Sequence, residues 1–112
     1  MKNLTGSDLT LIGRDGKGTV IPSSPEVAKI VVQTSTYLEF PDDKDVESNT
    51  YALYHFIDGL SCENPSGETR IVTADVYVVA YYEYGLRDIA TPVHPVKRKK
   101  NTYLGLGRYP NY

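Results

Sequence analysis

Apolar and polar positions along this chain change over at short intervals, with turn-forming residues between them. That spacing predicts short strands rather than long helices. Residues 8–12 read as a first strand, Asp15-Gly16 as a hairpin turn, and Thr19-Val20-Ile21 as the returning strand, stopped by Pro22. Ser23-Ser24-Pro25 is a turn. Residues 26–40 are β-branched and aromatic (Val27, Ile30, Val31, Val32, Tyr37, Leu38, Phe40) and long for one strand. A bulge or bend is therefore expected at 33–35. An acidic loop follows at 41–49, then a strand at 50–57, a turn at Asp58-Gly59 and a loop over 61–67.

The run Val76-Tyr77-Val78-Val79-Ala80-Tyr81-Tyr82 reads as the strongest core strand, within an extended segment over 75–84. Its end reads alternatively as a short helix through Tyr82-Glu83-Tyr84, stopped by Gly85. Residues 69–73 and 86–91 are further extended segments. Pro92 and Pro95 bracket Val93-His94, a pattern foreign to a central strand. A basic hairpin over 95–109 closes the chain, with its last strand at 103–107. The fold class expected is α+β, mainly β. It would be a small antiparallel sheet or partly open barrel of roughly five to seven short strands, with at most one short helix. All of it belongs to a single β-rich domain over 1–112.

Composition changes this picture in one respect. There are ten tyrosines, two phenylalanines and no tryptophan. Tyrosine pairs an apolar ring with a polar tip and is enriched at interfaces, and a domain this small cannot bury ten of them. A partner-facing aromatic surface and self-association are therefore expected. The net charge of −2 supplies no global field for duplex nucleic acid or an anionic membrane. The longest apolar runs are far shorter than the roughly 20 residues of a spanning helix. With one cysteine and no visible leader, a cytoplasmic setting is expected.

Chemistry-bearing motifs are sparse. His55 and Asp58 would point to opposite faces of a strand. His94 stands between prolines, and two histidines make a weak basis for zinc, so neither metal nor cofactor is expected. Cys62 sits beside Glu63, which disfavours a thiolate nucleophile. Gly13-Arg14-Asp15-Gly16-Lys17-Gly18 lacks the Gly-Lys-Ser/Thr spacing of a phosphate loop and reads as a hairpin. No catalytic set stands out.

The basic run Lys97, Arg98, Lys99 and Lys100 is the most distinctive charged feature. As a solvated hairpin edge it would block edge-to-edge pairing. Joined with Tyr81, Tyr82, Tyr84, Arg87, Tyr103 and Arg108 it forms a candidate binding surface, since basic groups take phosphates and tyrosine rings stack on bases. A nucleotide or short single strand would suit it, whereas four basic residues are too few for strong duplex binding.

Several segments together carry a likeness. Asn3-Leu4-Thr5, Asp15-Gly16, Ile21-Pro22-Ser23-Ser24-Pro25-Glu26-Val27-Ala28-Lys29, Gly59-Leu60-Ser61, Val76-Tyr77-Val78-Val79 and the basic hairpin follow one another along most of the chain. In this order they resemble a family of small uncharacterised proteins of phages, prophages and actinobacterial genomes. Gly6-Ser7 stands where that family has Pro-His, and the tyrosine cluster replaces a run that looks helical there. The resemblance implies a phage or mobile-element setting. The functional expectation is a non-enzymatic binding protein that inhibits a host defence process. It would sequester a nucleotide-derived ligand or occlude a defence protein. The alternatives are a small virion or assembly protein and an accessory protein for single-stranded nucleic acid.

Overall fold

The computed structural model describes residues 1–38 and 48–108, for 33–38 and 48–55 at the level of the backbone. Most of the predicted acidic loop, residues 41–47, lies outside the described residues, as do Phe40, Tyr109 and Tyr112. The elements are β1 (Lys2–Asn3), β2 (Leu9–Ile12), β3 (Gly18–Ile21), β4 (Lys29–Leu38), β5 (Ser48–Asp58), β6 (Arg70–Ile71), α1 (Ala74–Tyr82), β7 (Ile89–Pro95) and β8 (Thr102–Gly107). The protein is mainly β, as the pattern predicts; the described residues hold one short helix and eight strands rather than five to seven.

Six strands form one sheet in the order β1-β6-β7-β8-β2-β3. Its two ends meet where Asn3 pairs in parallel with Ser23, just beyond β3, so the sheet curls into a nearly closed barrel. The sheet is mixed rather than antiparallel: β1–β6, β6–β7 and β2–β8 run parallel. Asp15-Gly16 does turn the chain between the antiparallel pair β2 and β3. Gly16 supplies the positive φ that this turn requires.

The predicted core strand at 75–84 is instead α1, and two physical reasons account for it. A parallel β6–β7 pair needs a crossover between its strands, which a two-residue hairpin cannot provide. The side chains also carry a helical stripe: Val76, Tyr77 and Ala80 are buried and Tyr81 partly so, while Asp75, Val78 and Tyr82 face out. High β propensity hid that stripe, because tertiary packing overrides it. Gly85, at φ 67°, turns the chain beyond the helix, and the Leu86 amide donates to the Ala80 carbonyl at 3.1 Å.

β7 also departs from expectation, since it is central despite Pro92 and Pro95. Its neighbour β6 spans two residues, which meet Ile89 and Ala90 of β7. Both prolines lie beyond that pairing, where no β6 residue meets them.

The main core lies between the barrel wall and α1: Leu4, Ala28, Val72, Val76, Tyr77, Ala80 and Ile89. Leu9, Ile71 and Ala90 are buried outside that cluster and, by alternation, face the barrel interior. Asn3 joins them at 1% exposure and is the bolt of the barrel. Its Nδ2 donates to the carbonyls of Ser7 and Ile21, both at 2.9 Å. Its Oδ1 accepts the Thr5 amide and hydroxyl at 3.0 and 2.7 Å. One side chain thus ties the β1 end of the sheet to the β3 end.

β4 and β5 form a separate antiparallel ribbon from Lys29↔Asp58 to Leu38↔Ser48. The expected bulge is present, between Gln33 and Thr34. At its base, Ile30 and Ile57 pack on the main core. Gly59 follows β5 at φ 83°, and a Cβ there would run into the Val27 carbonyl oxygen.

Candidate functional site

The parallel run of β1, β6 and β7 gives the barrel two distinct ends, and the predicted site residues divide between them. Asp88 and Ile89 mark the end where β7 begins, and the basic turn marks the end where it leaves the sheet. β7 has seven residues, so at ~3.3 Å per residue roughly 20 Å separates the two groups.

Tyr81, Tyr82, Tyr84 and Arg87 gather where α1 ends and β7 begins. Tyr77 and Tyr81 stack at 5.9 Å between centroids, and Tyr82 meets Tyr81 edge-on at 5.1 Å. The Arg87 guanidinium lies 4.0 Å over the Tyr81 ring and donates to the Tyr81 and Leu86 carbonyls. Arg87 therefore occupies a ring face of Tyr81 that a base would need, and the pair serves to close the end of the helix. Tyr82 and Tyr84 are exposed. Arg108 follows β8 at this same end and donates to Thr69 Oγ1 at 2.9 Å.

Lys97, Arg98, Lys99 and Lys100 are all exposed in the turn joining β7 to β8, the hairpin expected at 95–109. Three non-glycine residues take the left-handed region in and beside this turn: His94 near the end of β7 (φ 57°), Arg98 (64°) and Asn101 (54°). Each costs roughly 1–2 kcal/mol, so the surrounding bonds must over-determine the shape. The Val96 amide donates to the Thr102 carbonyl, the Thr102 hydroxyl to the Lys100 carbonyl, and the Thr10 amide to the Asn101 carbonyl. The basic side chains are thus carried on a rigid hairpin.

Directly beneath this turn lies a cleft of about 210 Å³, lined by Thr5, Ser7, Leu9, Thr73, Ala74, Thr91, Pro92, Asn101 and Tyr103. Its lining is neutral and rich in hydroxyls. The register explains the convergence: Leu4, Val72 and Thr91 fall level across β1, β6 and β7, so Thr5, Thr73 and Pro92 follow at the rim. Thr91 is 1% exposed, and its buried hydroxyl has no hydrogen-bond partner among the described residues. Rotation about its Cα–Cβ bond exchanges that hydroxyl with the methyl group, which would bring a donor and acceptor to the cleft wall.

The start of α1 forms one wall. Asp75 in the first helical turn already sits against the helix dipole. The Thr73 hydroxyl, 2.5 Å away, holds its carboxyl below the usual range; burial opposes this, and the Val76 and Asp75 amides assist. The helix start is therefore already balanced by a carboxylate, so a phosphate is better served by the basic turn than by the helix.

Of the ten predicted residues, only Tyr103 lines this cleft, with the basic turn beside it. Sequence reasoning missed Thr5, Ser7, Thr73, Thr91 and Asn101. Only the Asn-Leu-Thr segment signalled any of them, and that motif serves Asn3 first. No helix among the described residues is long and apolar enough to cross a membrane. Comparison with family models, with curated proteins and with solved structures gives no match.

Proposed function

We propose that the chain is a non-enzymatic binding protein that captures a nucleotide-derived ligand in the cleft beneath the basic turn. The supporting observation is the buried, unpartnered hydroxyl of Thr91 in the floor of a hydroxyl-lined cleft. A buried polar group without a partner is costly, and a bound ligand would supply one. The lining sorts the ligand by part. Sugar hydroxyls fit the neutral ring of Thr5, Ser7, Thr73, Thr91 and Asn101. Phosphates fit Lys97, Arg98, Lys99 and Lys100, which meet them as charges on a rigid turn. A base fits the face of Tyr103. In a phage or mobile-element setting, withholding such a ligand would blunt a host defence process.

The test is isothermal titration of the purified protein with ADP, with ADP-ribose and with adenosine. ADP and ADP-ribose should bind more tightly than adenosine, with the difference shrinking as salt rises. Thr91→Val preserves shape and removes the hydroxyl, so it should weaken binding by roughly fivefold or more while leaving the ligand-free protein at least as stable as the parent. Lys97→Glu with Lys99→Glu should erase the advantage of the phosphorylated ligands. The reading fails if none of the three binds at millimolar concentration, or if both variants bind as the parent does.

A further inference from the structure

The far end of the barrel holds a second and larger cleft, of about 690 Å³, within the size range of ligand sites. Leu4, Leu60, Glu63, Asn64, Pro65 and Arg70 contribute to its walls. Arg70 is 4% exposed, which is unusual for a charged side chain and demands full compensation. Its Nη1 donates to the Ser61 carbonyl at 2.5 Å. Its Nη2 donates to both carboxylate oxygens of Asp88 at 3.0 Å. Its Nε–H is buried and has no acceptor among the described residues.

The chemistry of the missing acceptor follows from the charges already present. Asp88 balances the guanidinium and also accepts from Asn64 Nδ2. A second carboxylate would be in surplus there, so the acceptor wanted is a neutral carbonyl. At the rim, Lys2 takes Glu26 at 3.3 Å and the terminal amine takes Glu68 at 3.6 Å. Glu63 is exposed and makes no ion pair among the described residues. Leu60 and Pro65 offer apolar contact beside it. Carbonyl, aliphatic group and cation in sequence describe a stretch of polypeptide.

We propose that this cleft docks an extended peptide segment of a protein partner. One main-chain carbonyl accepts the Arg70 Nε–H, an aliphatic side chain rests on Leu60 and Pro65, and a Lys or Arg reaches Glu63. A small rotation of the guanidinium presents the Nε–H to the cleft. This site is independent of the hydroxyl-lined cleft at the opposite end, and either can fail alone.

The experiment follows the Arg70 side-chain Nε–H resonance of the ¹⁵N-labelled protein during titration with blocked tetrapeptides. Acetyl-Gly-Leu-Lys-Gly-amide should shift that resonance together with the amides of Ser61 and Glu63. Acetyl-Gly-Leu-Glu-Gly-amide should bind roughly tenfold more weakly: about threefold for the lost attraction and as much again for repulsion. Glu63→Gln, a surface change that leaves the fold intact, should weaken the lysine peptide by about threefold. The inference is overturned if the Nε–H does not move with either peptide at millimolar concentration, or if both peptides bind equally. It is also overturned if sodium acetate alone reproduces the shift, which would mark an anion pocket.

Discussion

Asn3→Ala should come close to opening the barrel. The side chain makes four hydrogen bonds at 2.7–3.0 Å, all in a setting where Asn3 is 1% exposed. At about 1 kcal/mol net for each bond, the loss is about 4 kcal/mol. The substitution also removes the side-chain bond that the Ile21 carbonyl receives across the seam, while the Thr5 hydroxyl can still turn to the Ser7 carbonyl at 3.1 Å. The expected cost is therefore about 3–5 kcal/mol, a large share of the 5–15 kcal/mol typical of a domain. Urea unfolding followed by circular dichroism measures it. With a slope of about 1.5 kcal/mol per molar, the midpoint should fall by roughly 2–3 M with the slope unchanged. Asn3→Asp, which keeps the acceptors but loses the amide donors, should fall nearly as far. A loss below about 1 kcal/mol for the alanine variant would refute the reasoning, because an independent surface contact costs no more than that.

Three further outcomes follow from the same structure. Burial pushes the Asp88 carboxyl up, but hydrogen bonds from Asn64 and Arg70, the Arg70 charge and its own amide hold it below the usual range. Its stabilising share is thus complete above the unfolded-state pKa near 3.9 and drains away as pH falls toward the lower folded value. Asp88→Asn should cost about 2–4 kcal/mol at neutral pH by leaving Arg70 buried without its counter-charge. The same substitution should flatten acid unfolding below about pH 4. Gly59→Ala forces a Cβ against the Val27 carbonyl at a positive φ and should lose about 2–4 kcal/mol by thermal melt, whereas Gly16→Asn, with open space around it, should change stability by less than ~1 kcal/mol. Tyr77→Ala, at 1% exposure in the main core, should cost about 3–5 kcal/mol, while Tyr82→Ser at 58% exposure should stay within about 0.5 kcal/mol in the same assay.

The local parts of this fold were written plainly in the chain. Asp15-Gly16 between apolar runs gives the β2–β3 hairpin, and the length of the 26–40 segment gives the bulge that the ribbon shows between Gln33 and Thr34. The long-range parts were not. Nothing local marks Arg70 and Asp88 as an ion pair, because each meets the other only after the α1 crossover brings β6 beside β7. The helix itself was masked by valine and tyrosine, which favour strands until a sheet face rewards them on one stripe. The candidate surface suffered from the same blindness. Tyr81 and Lys99 are neighbours in a reading by residue type, yet they sit at opposite ends of β7. Thr91 carries no sequence signal at all; only the register of three parallel strands reveals where it lies.

The seam between Asn3 and Ser23 has a consequence for how the chain acquires its shape. Its first stave, β1, has no strand to pair with until Arg70 and Ile71 exist, and the second edge of β2 must wait for Thr102 and Tyr103. During synthesis only the β2–β3 hairpin and the β4–β5 ribbon can assemble early, as islands without a shared core. The segment from Arg70 to Gly107 therefore acts as the template that gathers segments made long before it. Such non-local pairing places the protein among slow folders, in the millisecond-to-second range. Until then the exposed flank of β2 is an open strand edge, the kind that invites pairing with the wrong molecule.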